Sequence, residues 1–123
     1  MKDLNAIIVG GTGQFGLTIA QILIKKKYKV IITTRSLIKR KKIINQYKKI
    51  KFLKLNIYNK IEIEKILNKF KPKIIFYFAG QSSPKKSFTR KKETFKSNVI
   101  GCKYILEILK KNKSQCKFLN ATS

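Results

Sequence analysis

The chain has no histidine, and only five of its 123 residues are aspartate or glutamate. Acid–base chemistry therefore has little to draw on, and no acid/base pair stands out among those residues. Cys102 and Cys116 are the only cysteines. Without histidine, and with few acids nearby, they do not make a metal site of the usual kind; they read as two reduced structural thiols. No apolar run approaches the roughly 20 residues that a membrane helix needs. The N-terminal stretch "MKDLNAIIVGG" is too short in apolar residues for a signal peptide. A soluble, cytoplasmic protein is expected. The absence of repeats and low-complexity linkers leaves one domain, long enough for a real core.

Positive charge is abundant. Thirty Lys and Arg give a formal net charge of +25. That is the footprint sought in nucleic-acid binders. Along the sequence, however, the lysines are spread over nearly every segment, and no aromatic-and-basic motif of an RNA-binding module appears. The richness in Ile and Asn beside Lys points to a compositional bias of the genome. No specific nucleic-acid partner is expected. Nonspecific attraction to polyanions at low salt, and to anionic nucleotides, is.

Short apolar runs alternate with helical periodicity. Ala6–Val9 and Val30–Thr34 read as buried strands, and Lys51–Leu55, Ile74–Ala79 and Lys117–Ala121 as three further strands. Gln14–Lys26, Ser36–Lys49, Asn59–Phe70 and Glu93–Lys111 carry apolar residues at helical spacing. Strand–helix alternation of this kind means βαβ units and a parallel sheet covered on both faces. The expected fold is α/β, a doubly wound Rossmann-type sheet of about five strands in order 3-2-1-4-5.

The chemistry-bearing stretch is "IIVGGTGQFG", Ile7 to Gly16. Gly10, Gly13 and Gly16 lie three residues apart, behind a strand and opening a helix. Gly10 permits the sharp turn, Gly13 lets backbone approach a pyrophosphate, and Gly16 lets the helix pack closely. Free N–H groups at the helix start then face an anion. The cradle reading covers Gly10, Gly11, Thr12, Gly13, Gln14, Phe15 and Gly16. An acid at the end of the second strand would select NAD through the ribose 2′-OH. The strand instead ends "TTRS", and Arg35 can pair with a 2′-phosphate. NADP is the expected cofactor. "YKKIK", Tyr47 to Lys51, matches Y-x-x-x-K by letters but precedes the third strand, far from the expected site.

The spacing G-x-x-G-x-x-G resembles the extended short-chain dehydrogenase/reductase superfamily. "GGTGQFG", "TTRS", "FYFAGQSS", "SNVIGCKYILEIL" and "KFLNATS" occur in the order and spacing of the GDP-mannose 4,6-dehydratase family and its sugar-nucleotide relatives. The resemblance covers the whole chain, but only the N-terminal part of such an enzyme. It implies a nicotinamide cofactor along Phe78, Ala79, Gly80, Gln81 and Ser82, with Asn56 and Ile57 beside the adenine. It also implies Asn98 under the active site and Ser123 on the sugar's reacting oxygen. The family's substrate is a nucleotide sugar, GDP-mannose in this branch, dehydrated to the 4-keto-6-deoxy sugar by a full-length enzyme that is a homo-oligomer. Phe15 replaces a common polar or acidic residue, Asn56 an Asp, and Glu93 a cofactor-contacting Tyr.

The family's Tyr-Lys pair and the Glu for the C5 proton lie downstream of the position of Ser123. The chain is therefore expected to be an incomplete NAD(P)-binding domain over residues 1–123, ending before a sixth strand and the substrate lobe. By itself it is expected to bind cofactor without turnover. A sugar-nucleotide epimerase or reductase, or a non-catalytic basic NADP-binding module, are the rival readings.

Overall fold

The computed structural model describes residues 4–78 and 91–120, with side chains from 99 onward in the second stretch. Five strands form one sheet: β1 (Asn5–Val9), β2 (Lys29–Thr34), β3 (Lys51–Lys54), β4 (Ile74–Tyr77) and β5 (Lys117–Asn120). Four helices connect them: α1 (Gln14–Lys25), α2 (Lys41–Gln46), α3 (Lys60–Phe70) and α4 (Lys91–Lys111). All pairings are parallel. The order is β3-β2-β1-β4-β5, as the alternation predicts.

β1 is central and buried on both faces, which is why it reads as a continuous apolar run. Its side chains alternate between two cores. Ala6 and Ile8 join Ala20 and Leu23 of α1, with Val30, Ile32, Ile50 and Phe78. Ile7 and Val9 join Ile63 and Leu67 of α3 and Ile105 and Ile108 of α4. Full burial of an Ile side chain is worth about 1.5–3 kcal/mol, so these two layers supply the main driving force.

α3 has strong end signals. Asn59 caps it, its side chain accepting from Glu62 N–H at 3.2 Å, and Lys71 closes it in the left-handed conformation at φ 43°. Asn5 Nδ2 donates to the Phe70 carbonyl at 2.6 Å, satisfying one of the orphan acceptors at that helix end.

One expected helix is much shorter than its periodicity suggests. Ser36–Lys49 resolves into a single 3-10 turn, Ile38–Arg40, and the six-residue α2. Ser36 Oγ accepts from Lys39 N–H at 3.3 Å, but neither the 3-10 turn nor α2 has a side-chain cap at its N-cap residue. The segment also holds six cations and no acid. Like charges at helical spacing repel, and no (i, i+4) pair offsets that. Ile38 stays exposed, so little apolar burial draws the turn inward. β4 ends at Tyr77 rather than Ala79, although the Phe78 N–H still donates to Val9 O at 2.8 Å.

Candidate functional site

The sheet order reverses between β1 and β4, and in open α/β sheets ligands lie at such a switch point, outside the C-terminal strand ends. The glycine loop is there. Gly10 leaves β1 at φ 74°, a conformation a side chain resists, and its N–H donates to Thr33 O at 3.0 Å. A Cβ on Gly11 would run into the Ile8 side chain. A Cβ on Gly16 would sit 2.6 Å from Gly11 Cα and 2.7 Å from its carbonyl carbon. The close packing foreseen for Gly16 is thus against the loop backbone itself, so the first turn of α1 lies flush on the loop.

Gly13 differs from these neighbours. It is the N-cap of α1, extended at φ −76° and ψ 171°, and a Cβ there would meet nothing within 4 Å. Its carbonyl accepts from Leu17 N–H at 3.0 Å, the first helical bond. Having no side chain, it offers no cap to the N–H groups of Gln14, Phe15 and Gly16, and the first turn holds no acid. Uncapped donors, a positive helix end and open space in front of Gly13 fit an anionic group such as a pyrophosphate.

The other sequence-derived positions flank this loop. Arg35 follows the last residue of β2, exposed, two residues past the carbonyl that holds Gly10. Leu55 N–H donates to Thr34 O at 2.9 Å, which brings Asn56 to the same edge. Asn56 Oδ1 accepts from Tyr58 N–H at 3.0 Å, a side-chain turn leading into α3. One lone pair of that oxygen is left for another donor. Ile57 packs into the core under α3 and α4, so it offers this edge backbone only. Phe15 is 73% exposed, its ring 6.2 Å from that of buried Phe78 at 57°. Thr12 is buried. Ala79, Gly80, Gln81, Ser82 and Ser123 lie outside the described residues. Glu93 and Asn98 belong to α4 before its side chains are described.

Tyr77 lies just below the edge, fully buried, and burial pushes its phenol far above the ordinary value. It fits because α4 has Gly101 there: a Cβ on Gly101 would collide with the Tyr77 hydroxyl and lie 2.9 Å from Cζ. Gly101 was no part of the sequence-derived site; a glycine inside a long helical pattern is the signal that marks a close approach.

Both cysteines are free. Burial raises the Cys102 thiol and pushes Cys116 up to about 11. Asn120 Nδ2 donates to Cys102 Sγ at 3.3 Å. Neither thiol is poised as a nucleophile. Among the described residues no three His, Cys, Asp or Glu side chains gather as a metal site. No helix there is long and apolar enough to cross a membrane. Tyr47 of the Y-x-x-x-K match ends α2 and leads into the start of β3, at the sheet edge opposite the glycine loop.

Residues 7–123 match the family model for GDP-mannose 4,6 dehydratase. Among solved structures, the chain is similar to a UDP-glucose 4-epimerase from Thermotoga maritima bound to UDP-glucose. The TM-score is 0.81 at 26% identity, over 98% of this chain and 38% of the other. It shares its fold with ElxO bound to NADP, with a TM-score of 0.77 at 24% identity over 99% of this chain and 56% of that one. It also shares it with a UDP-glucose 4-epimerase from Bifidobacterium longum bound to NAD+ and UDP. There the TM-score is 0.79 at 18% identity, over 97% and 37% of the two chains.

Proposed function

Because the chain belongs to the GDP-mannose 4,6 dehydratase family, we propose that residues 1–123 are the dinucleotide-binding part of an NADP-dependent sugar-nucleotide dehydratase acting on GDP-mannose. The observation that carries the reading is the open N-cap at Gly13, set between a positive-φ Gly10 and a Gly16 pressed onto the loop. NADP, when bound, supplies a reversible hydride acceptor for the sugar.

The chain's residues then have separate tasks. The first-turn N–H groups of α1 hold the pyrophosphate. Arg35 pairs with the 2′-phosphate, where a guanidinium gives two-point contact. Asn56 accepts from the adenine amino group. Phe78, Ala79, Gly80, Gln81 and Ser82 run along the cofactor toward the sugar, and Ser123 bonds its reacting oxygen. The sugar-binding lobe and the Tyr-Lys base come from sequence outside these residues; the chain spans 38% of the length of the Thermotoga maritima enzyme it resembles. The whole enzyme works in the cytoplasm as a homo-oligomer.

The experiment is a calorimetric titration with NADPH and NADH. NADPH is expected to bind at least about tenfold more tightly, the worth of one charge-assisted contact, and Arg35→Ala to remove the preference. Equal affinities would defeat the NADP assignment. They would favour the second reading, an NAD-using sugar-nucleotide epimerase, which the 26% identity to a UDP-glucose 4-epimerase supports.

A further inference from the structure

The lysines that look evenly scattered along the sequence are not scattered in space. In a parallel sheet every helix-to-strand connection returns to the same edge. The connections at 25–29, 48–51, 69–73 and 110–117 together hold fourteen lysines and no aspartate or glutamate. All fourteen are exposed. At the opposite, glycine-loop edge, the described connections counted with their flanking residues, 9–14, 34–41 and 54–60, hold six cations, Arg35, Lys39, Arg40, Lys41, Lys54 and Lys60. Among the described residues the βα repeat therefore gives the helix-to-strand edge the larger share of the positive charge.

Local structure accounts for only a small part of it. Lys27, Lys71 and Lys113 take positive φ at the ends of α1, α3 and α4, where they complement the helix dipoles. Four helix C-termini at about half a charge each amount to roughly −2, and Lys111 is paired with Glu64 at 3.3 Å. Lys51 and Lys69 lie 5.2 and 5.4 Å from the centre of the Phe70 ring, contacts that leave their charge in place, so a net charge on the order of ten remains within these connections by that dipole count.

We propose that this edge is a docking surface for the phosphodiester backbone of nucleic acid, without base readout. Five strands at about 4.8 Å spacing place roughly 19 Å between β3 and β5, a length over which a duplex presents roughly 11 phosphates. The edge follows the twist of the sheet, and a helical polyanion can track such a row better than a flat surface can. None of the four connections exposes a large apolar side chain, which a membrane-inserting surface needs. Toward the β5 end a depression of about 480 Å³, rimmed by Lys71, Lys73, Asn112 and Ser114, gives a phosphate a concave seat. The surface lies across the sheet from the glycine loop, so it does not depend on the cofactor reading.

The test compares two charge reversals of equal size. One variant carries Lys26→Glu, Lys49→Glu, Lys73→Glu and Lys110→Glu. The other carries Lys39→Glu, Arg40→Glu, Lys41→Glu and Lys42→Glu, away from the edge. Binding to a mixed-sequence DNA duplex of about 20 base pairs is followed by fluorescence anisotropy at rising salt, with circular dichroism to confirm folding. The edge variant is expected to lose at least about tenfold in affinity near 100 mM salt, and its salt slope to fall by about 3–4. The control is expected to lose less than about threefold. Equal losses in the two variants would overturn the proposal, leaving attraction by net charge alone. So would wild-type binding to phosphatidylserine vesicles in place of the duplex, or to neither. If the edge reversal does not fold, the same four positions changed to Gln take its place, with a loss of about fivefold expected.

Discussion

The two faces of the sheet are held by opposite means. On the α3/α4 face long side chains clamp helix to helix. Lys60 meets Glu107 at 2.8 Å, Lys111 meets Glu64 at 3.3 Å, and Asn112 donates to Asn68 at 3.0 Å. Lys60 also lies 5.8 Å from the centre of the Tyr104 ring. On the α1 face, at the loop, the fit depends on side chains that are missing: Gly16 on Gly11, and Gly11 on Ile8. Four of the five acids belong to α3 and α4, and none lies between residues 4 and 58. The difference separates scaffold from site. The α3/α4 face uses its few anions as clamps, whereas the α1 face keeps the backbone donors of its first turn uncapped, as the proposed anion site requires.

The sharpest way to break this comparison is one added methyl on each face. Gly16→Ala drives a Cβ into the loop backbone, which has no rotamer to yield. A loss of about 1–3 kcal/mol in urea unfolding is expected, together with loss of NADPH binding in the same sample. Gly101→Ala meets the buried Tyr77 hydroxyl instead, with a comparable stability loss but retained binding. Adding Tyr77→Phe should return part of that stability, because it removes the atom the methyl strikes. If both glycine variants lose binding, or neither does, the two faces are not functionally distinct.

A smaller effect sharpens the scaffold side. The hydrogen bond to Lys60 holds the Glu107 carboxyl below its ordinary value. A lowered carboxylate stabilises the fold above its unfolded value, and that contribution disappears as pH falls through the folded one. The same bond raises Lys60, so its share is lost as pH climbs past the raised value. Glu107→Gln should lower the melting temperature slightly at neutral pH, and the gap from wild type should close in acid. A gap that persists under acid would mean the pair does not act as an ion pair. Smaller still, Cys116 is expected to alkylate slowly with iodoacetamide at pH 8. A rise from 9.0 to about 11 cuts its thiolate roughly 100-fold, and labelling at the rate of a free thiol would contradict its burial.

Much of the scaffold was legible because its signals are local. Apolar runs of four and six residues mark β1 and β4, the β-branched Val30–Thr34 marks β2, and β3 and β5, like the strand order, follow from βα alternation. The loop was legible because three glycines at fixed spacing carry a backbone requirement. What escaped was non-local. The clamps join residues 44 and 47 apart in sequence. Gly101 has meaning only once Tyr77 is seen opposite it. The Asx turn that engages Asn56 Oδ1 and the inward packing of Ile57 depend on how β3 hands over to α3. The shortening of Ser36–Lys49 reflects repulsion that apolar periodicity does not register.

The central claim is that the glycine loop is a cofactor cradle, and Gly13→Val tests it most directly. The backbone there is extended, and nothing lies within 4 Å of the new Cβ. The variant should therefore unfold in urea at the wild-type midpoint. The isopropyl group fills the space assigned to the pyrophosphate, so calorimetric titration with NADPH should show binding to wild type and none to Gly13→Val. Wild-type affinity in a folded Gly13→Val would contradict the account, leaving the loop as a turn that no dinucleotide occupies.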